Sequence, residues 1–201
     1  MPVYRFANVT PVIHPSAYIH PSAEIIGDVI IEQNVYIGPL AVLRGDFGRL
    51  IIKSGSNVQD SCVMHGFPGE DTVLERNVHV GHGAIVHGCH IEENTLIGMN
   101  AVIMDLARIG KESIVGANSF VKTKSQYDAR SMIIGSPARV IRSVKDNELQ
   151  WKENGTSLYQ RLAQRCHSEL ELTEPLREVE PDRKRVSWDV THGIKEPAKE
   201  V

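Results

Sequence analysis

Aliphatic side chains return along this chain every six residues. Eighteen positions follow the period, and seventeen of them are Ile, Leu, Val or Met, with His79 as the exception. They form three runs separated by two slips of three residues: Ile13, Ile19, Ile25, Ile31, Ile37 and Leu43; Ile52, Val58 and Met64; Val73, His79, Ile85, Ile91, Ile97, Ile103, Ile109, Val115 and Val121. We expect these anchor positions to point into a common core.

A period of six fits neither regular secondary structure, because helices repeat apolar residues near 3.6 and strands near 2. It fits a triangular solenoid in which each hexapeptide supplies one short strand and one corner. Three hexapeptides per coil give about six coils, and a strand spacing of about 4.8 Å makes the stack roughly 29 Å long. The pattern therefore predicts an all-β solenoid, a parallel β-helix of hexapeptide repeats, with the helical pattern confined to the C-terminal part.

The period fades after Val121. A turn at residues 135–139 directs the chain out of the solenoid. A short helix is expected near residues 146–153, with Gly155 as its stop, and a longer C-terminal α-helix near 156–170, capped by Thr156. We therefore predict a β-helix domain over residues 1–142, a helical segment over 143–172 and a polar tail over 173–201.

Composition and charge exclude several classes of protein. Apolar residues make up 41% and charged residues 23%, the proportions of a soluble globular chain. The 22 basic and 25 acidic side chains leave no basic surplus for nucleic acid, and no apolar run is long enough to cross a membrane. Three cysteines and an N-terminus without a signal-peptide pattern favour the cytoplasm.

Five of the nine histidines fall in residues 65–90. His65 and His87 are 22 residues apart, which equals one 18-residue coil plus an insertion that the loop GFPGED can hold. Their imidazoles are therefore expected on the same wall, one coil apart, close enough to share a metal ion. His82 points to another side of the prism, so a neighbouring subunit would have to supply it. The spacing predicts a homotrimer with three metal sites between subunits.

Three histidines with an open fourth position form the ligand set of a catalytic zinc site, which generates hydroxide near neutral pH. Neutral imidazoles also accept Co²⁺ or Fe²⁺, so Zn²⁺ is the expected but not the required ion. His79 is interpreted as a hydrogen-bonded core or supporting histidine rather than a fourth ligand. Cys62 and Cys89 stand at small corner positions and are interpreted as core.

A second group of polar residues lies upstream, near the first slip of the repeat. It consists of Arg44, Asp46, Asn57, Gln59 and Asp60. Gln59 is a candidate to hold the reacting water or a substrate oxygen by hydrogen bonds. Arg44 and Asp60 are sixteen residues apart, so they could be neighbours on adjacent coils or pair across a subunit contact. A purely structural interface network is the alternative interpretation of this group.

The segments RGDFG, NVQD, MHG and GHGAIVHGC together resemble the γ-class carbonic anhydrases and their relatives, over about residues 10–142. The resemblance implies a left-handed β-helix and a trimer in which His65 and His87 of one subunit and His82 of the next hold the metal. It also implies that Arg44, Asp46, Asn57, Gln59 and Asp60 are active-site and interface residues. Phe47 stands where the prototypical enzymes carry a glutamate, so we expect weak CO2 hydration at most.

Within that family, RGDFGRL, QDSCVMHGFPGEDTV, GSPARVIR and the tail EPLREVEPDRKR are most similar to the PaaY group of phenylacetate-degradation proteins, with the CaiE group related. This resemblance implies a metal-dependent thioesterase that hydrolyses acyl-CoA thioesters in phenylacetate catabolism, with metal-bound hydroxide as the nucleophile. Three alternatives stay open: reversible CO2 hydration, acyl transfer from CoA as in many hexapeptide solenoids, and a non-catalytic accessory role in a CoA pathway.

Overall fold

The fold is described from a computed structural model that covers residues 2–188, so part of the predicted tail, residues 189–201, lies outside it. The described residues form twenty strands and one helix. The strands are β1 Val3–Tyr4, β2 Val12–Ile13, β3 Tyr18–Ile19, β4 Glu24–Ile31, β5 Tyr36–Ile37, β6 Val42–Ile52, β7 Asn57–Val58, β8 Val63–His65, β9 Thr72–Leu74, β10 His79–Val80, β11 Ile85–His87, β12 His90–Ile91, β13 Leu96–Ile97, β14 Val102–Ile103, β15 Arg108–Ile109, β16 Ile114–Val115, β17 Phe120–Val121, β18 Gln126–Tyr127, β19 Ser131–Gly135 and β20 Ala138–Ser143. The helix is α1, Asp146–Glu169.

The strands stack in parallel around a solenoid, as the six-residue period predicts. One wall is the sheet β3-β5-β7-β10-β13-β16-β19, to which β20 adds as an antiparallel edge. The other two walls form a single sheet, because the long strands β4 and β6 continue around a corner from one wall to the next. Seven strands on the first wall mean seven coils rather than six, since Tyr127 and Ile133 continue the period beyond Val121.

Most of the aliphatic anchors are buried in the core as expected, together with small corner residues such as Ala23, Ala41 and Ala101. In one coil, however, the predicted register is wrong: Leu74, Val80 and Val86 point inward, whereas His79 is half-buried and Ile85 is exposed. The loop after His65 inserts one residue more than the three assumed, and the corner at Gly88 takes one residue back. His79 is therefore not an inward anchor.

The C-terminal part forms one helix and not two. Gly155 lies inside α1 and does not end it, so the predicted stop is wrong. A Cβ on this residue would lie 3.8 Å from His79 Cε1, and packing on the solenoid offsets the ~1 kcal/mol that glycine costs in a helix. Thr156 is not a cap either, since its hydroxyl donates to the Lys152 carbonyl oxygen at 3.1 Å.

Helix α1 belongs to the same compact unit as the solenoid, Met1–Glu169, and Leu170–Val201 form a second unit. The helix packs on the first wall through Ala163, which is fully buried with Tyr18 and Tyr36. Within residues 2–188, no helix is long and apolar enough to cross a membrane. The packed helix covers part of the wall that carries His79, and this position matters for the site described next.

A candidate metal centre

Two histidines meet on one wall of the solenoid. His65 ends β8 and His87 ends β11, and the two residues are direct partners in the parallel pairing of these strands. His65 Nδ1 lies 2.9 Å from His87 Nε2. Because the extra residues between them lie in the loop after His65, the 22-residue spacing brings the two imidazoles together as the sequence predicts.

The outer nitrogen of each imidazole contacts a carboxylate. His65 Nε2 lies 3.0 Å from Asp46 Oδ1, and His87 Nδ1 contacts Asp105 Oδ1. If each outer nitrogen carries the ring proton and donates a hydrogen bond to its carboxylate, both inner nitrogens carry lone pairs that face each other at 2.9 Å. Two facing lone pairs repel each other, and a metal ion or a single proton held by both nitrogens would relieve that repulsion. Carboxylates behind ligating histidines are also the usual support of a metal site.

Arg44 permits a second arrangement of the same rings. Its Nη2 lies 3.0 Å from His65 Nε2, and its Nε lies 3.8 Å from Asp46 Oδ2. If Arg44 donates to His65 Nε2, the proton of His65 moves to Nδ1 and is donated to His87 Nε2. In that tautomer the two rings are hydrogen-bonded to each other without a cation. A metal bound by both rings requires the other tautomer, in which the outer nitrogens carry the protons. In the first arrangement, in which Asp46 and Asp105 accept from the outer nitrogens, the two imidazoles could supply two ligands to a divalent metal.

His82 lies elsewhere, at the corner that precedes β11. Its Nδ1 is 2.8 Å from Asp60 Oδ2, so the proton is held there and Nε2 carries the lone pair. The hydroxyl oxygen of Tyr159, on α1, lies 3.4 Å from that Nε2. Burial raises the pKa of Tyr159 to about 12, which keeps the phenol a proton donor.

The described part of the chain does not bring three metal-binding side chains together. Among residues 2–188, no three His, Cys, Asp or Glu side chains are grouped so that they could hold a metal ion. The predicted ligands His65 and His87 come together, and His82 does not join them within the same chain. A three-histidine site therefore needs His82 from another subunit.

Asn57 and Gln59 lie on the His82 side, under α1, and not beside His65. Gln59 Nε2 donates to Asn57 Oδ1 at 2.9 Å and to His79 Nε2 at 2.6 Å. Burial lowers the pKa of His79 to about 3, so this ring stays neutral and can accept that hydrogen bond. The ring of Tyr159 meets His79 edge-on, with centroids 5.3 Å apart. This polar network supports the wall beneath His82.

Asp105 and Tyr159 are two site residues that the sequence reasoning missed. Asp105 follows His87 by eighteen residues, one regular coil, so the repeat itself carried the signal. Tyr159 lies within the predicted helix 156–170. No motif marks it, because its place beside His82 depends on how α1 packs.

The wall that carries His65 and His87 also presents a column of apolar side chains. Successive strands pair these residues in register, and each side chain points outward: Val42, Val63, Ile85, Val102 and Phe120. Val63, Ile85 and Phe120 are 37%, 39% and 36% exposed. We call this set the apolar column; it runs beside the histidines over the height of five coils.

Comparison with known proteins identifies the family. The model of the bacterial transferase hexapeptide (six repeats) matches residues 10–45 and 88–123. A crystal structure of a hexapeptide transferase family protein from Anaplasma phagocytophilum is 31% identical, with a TM-score of 0.78, and the match covers 81% of this chain and 96% of that one. The BC4754 gene product of Bacillus cereus is 35% identical, with a TM-score of 0.80 and coverage of 81% and 94%.

The carnitine operon protein CaiE of Salmonella agona is more similar in sequence. It is 56% identical over 186 residues, which cover 92% of this chain and 94% of the relative. This relative carries the CaiE name rather than that of the PaaY group, which the sequence motifs favour. The chain therefore belongs to the bacterial transferase hexapeptide family and, within it, to the group of the carnitine operon protein CaiE.

Proposed function

We propose that the protein is a homotrimeric, metal-dependent hydrolase of acyl-CoA thioesters. The metal would be held by His65 and His87 of one subunit and His82 of the next. One observation carries this proposal: two imidazole nitrogens face each other at 2.9 Å while both outer nitrogens contact carboxylates. The preferred ion is Zn²⁺, and Co²⁺ or Fe²⁺ would satisfy the same ligands.

The surface around the histidines supports a trimer. The apolar column is exposed in the single chain, and a second copy is the partner that both buries it and supplies the missing ligand. His82 is half exposed and held by Asp60, so it is oriented before a neighbour arrives. Within the chain Arg44 contacts Asp46 and His65, and Asp60 contacts His82. We propose that Arg44 also pairs with Asp60 of the neighbouring subunit.

When bound, a divalent ion lowers the pKa of a water molecule and makes it a nucleophile at neutral pH. The chain's own residues orient the reaction. Asp46 and Asp105 hold the protons on the outer nitrogens of His65 and His87. We propose that the phenol of Tyr159, whose oxygen lies 3.4 Å from His82 Nε2, donates to the reacting oxygen when that nitrogen holds the metal. Water adds to the thioester carbonyl carbon, the carbon–sulfur bond breaks, and the products are a carboxylic acid and the CoA thiol.

Acyl transfer from CoA is the second candidate, and the comparisons favour it because the matching family is one of transferases. In that case the His87–Asp105 pair would act as a general base on an acceptor, without a metal. The two candidates share the acyl-CoA donor and differ in the acceptor, water or an organic nucleophile. The relatives' carnitine operon name gives no support to phenylacetate catabolism, so the proposal concerns CoA thioesters as a class.

A subunit-mixing experiment tests the shared site. His82→Ala and His87→Ala are each expected to lose hydrolysis and most of the bound metal. The control is His90→Ala, which removes a histidine of β12 that pairs with Glu75, and it should lose neither. Refolding the two inactive variants together should restore activity, because about a quarter of randomly formed contacts would join intact His65 and His87 to an intact His82. No recovery in confirmed mixed trimers would contradict a shared site.

Chelation separates the two candidate reactions. Hydrolysis should stop when the metal is removed and return with Zn²⁺ or Co²⁺. Acyl transfer through a histidine base would survive chelation and would yield an acylated amine or alcohol in place of the free acid. Hydration of CO2 to bicarbonate without thioester cleavage would favour the carbonic anhydrase alternative.

A further inference from the structure

The two slips of the six-residue repeat lie side by side at one corner. Strand β6 pairs with β4 through Gly45 and resumes at Leu50, so four residues, 46–49, oppose Asp28 alone and bulge outward. One coil further on, β8 ends at His65 and β9 begins at Thr72, which leaves residues 66–71 as a loop. We call these two segments, 46–49 and 66–71, the lip.

The lip is a packed structure. A Cβ on Gly48 would lie 2.6 Å from the Phe67 carbonyl oxygen and 2.7 Å from that of Glu70, so only glycine allows the bulge to meet the loop. The loop itself is closed by a backbone hydrogen bond from Glu70 N to Phe67 O at 3.1 Å. On the far side, Gly88 closely approaches Phe67 Cβ. Each segment therefore holds the other in place beside the histidines.

Phe47 stands at the front of the lip. Its ring centroid is 5.1 Å from that of His65, with the planes at 45°, and the side chain is 61% exposed. The exposed phenyl ring covers His65, which is only 9% exposed, and contributes little to the core. It offers an apolar contact to whatever reaches His65, and aromatic contacts of this kind contribute measurably to binding.

The charges on the lip are mostly negative. Glu70 and Asp71 contribute carboxylates, whereas Asp46 contacts Arg44 and His65 and Arg49 is paired with Asp28 at 3.0 Å. A substrate whose acyl group carried a free carboxylate would meet like charge here. An uncharged apolar acyl group would meet the phenyl ring of Phe47 without that cost.

We propose that Phe47 is the specificity-determining contact of this site and selects thioesters whose acyl group is apolar and uncharged over those that carry a carboxylate. This inference rests on the proposed function, because it concerns the acyl group of the same substrate. The ring would hold the acyl chain beside His65 while the thioester carbonyl reaches the reacting water.

The test measures kcat/KM of the holoenzyme for hexanoyl-CoA, acetyl-CoA and succinyl-CoA. The wild type should prefer hexanoyl-CoA, and Phe47→Ala should lower the hexanoyl-to-acetyl ratio roughly tenfold, the effect of one good aromatic contact. Phe47→Leu should recover most of that ratio. Trp151→Ala removes a similarly exposed aromatic on α1, 59% exposed, and should leave the ratio within twofold. An unchanged ratio in Phe47→Ala, or a wild-type preference for succinyl-CoA, would overturn the proposal.

A binding measurement separates failure of this inference from failure of the proposed function. S-hexyl-CoA and S-ethyl-CoA are thioethers that cannot be hydrolysed, so their Kd values report binding alone. If no thioester is hydrolysed but S-hexyl-CoA binds more tightly in a Phe47-dependent manner, the proposed function fails and the acyl contact stands. Equal Kd values for the two thioethers would overturn the acyl contact even in an active hydrolase.

Discussion

Lys152 provides a quantitative test of how α1 is held on the solenoid. The residue lies within the helix and its side chain is 1% exposed. Its amino group donates to the Asn77 carbonyl oxygen and, at 2.6 Å, to Asn94 Oδ1. Both acceptors are uncharged, and the adjacent Glu153 side chain accepts from Asn94 Nδ2 at 3.0 Å. Burial lowers the pKa of Lys152 from 10.5 to about 7, although Glu153 opposes the shift.

The sign of the resulting pH dependence follows from proton counting. Between about pH 7 and 10.5 the unfolded chain keeps the lysine proton while the folded chain releases it. The unfolded state then binds more protons, so the free energy of unfolding rises with pH in this window and is flat below it. At about 1.4 kcal/mol per pH unit, the gain between pH 7 and pH 9 is about 2 kcal/mol.

Denaturant unfolding of the wild type and Lys152→Met at pH 7, 8 and 9 measures this gain. The difference between the two free energies of unfolding should grow by about 2 kcal/mol in favour of the wild type. Taking the difference cancels groups common to both proteins, such as Cys62, whose pKa burial raises to about 11. The exposed Lys124, changed to Met, serves as the control and should show no such trend. Parallel pH profiles for wild type and Lys152→Met would refute the idea that burial governs the Lys152 amine.

Two further predictions concern the proposed metal site and the proposed subunit contact. Asp105→Asn removes the carboxylate that fixes the His87 tautomer, so metal affinity, measured by chelator competition, should fall roughly 10- to 100-fold without unfolding; an unchanged affinity would contradict that role. Ile85→Lys places a charge in the apolar column and should convert trimers to monomers in sedimentation equilibrium. Ile134→Lys, at a 41% exposed isoleucine of β19, should not, and a trimeric Ile85→Lys would place the contact elsewhere.

Most of the solenoid could be predicted from sequence because the repeat imposes one residue type on each inward position. Ile97, Ile103 and Ile109 are fully buried where the period places them. The prediction failed at His79 and Ile85, which point outward. The extra residue after His65 is offset only at the corner of Gly88, so the strands between them are shifted by one residue. In the apolar pairs Val73–Leu74 and Ile85–Val86, the sequence does not show which of the two residues faces inward.

The candidate site was predictable only where its residues follow the regular spacing of the coils. The pairing of His65 with His87 follows from counting residues along one wall. The positions of Gln59 and Tyr159 could not be obtained in this way, since one depends on which wall β7 occupies and the other on the packing of α1. The end of the helix was also mispredicted, because glycine favours a helix end in the local sequence. Gly155 is accommodated inside α1 by contact with the solenoid.

The coincidence of the lip with the histidines has a physical reason. In a stack of coils, every strand pairs with the one below and the one above, so an insertion is tolerated only at a corner where the neighbouring coil does not need to follow it. Here two insertions on successive coils support each other through Gly48, and they carry Asp46 and Phe47 out to the ring of His65. The regular period forms the wall that carries His65, and the two insertions add Asp46 and Phe47 beside it. In such a chain, the residues that break the repeat are therefore the first place to look for chemistry.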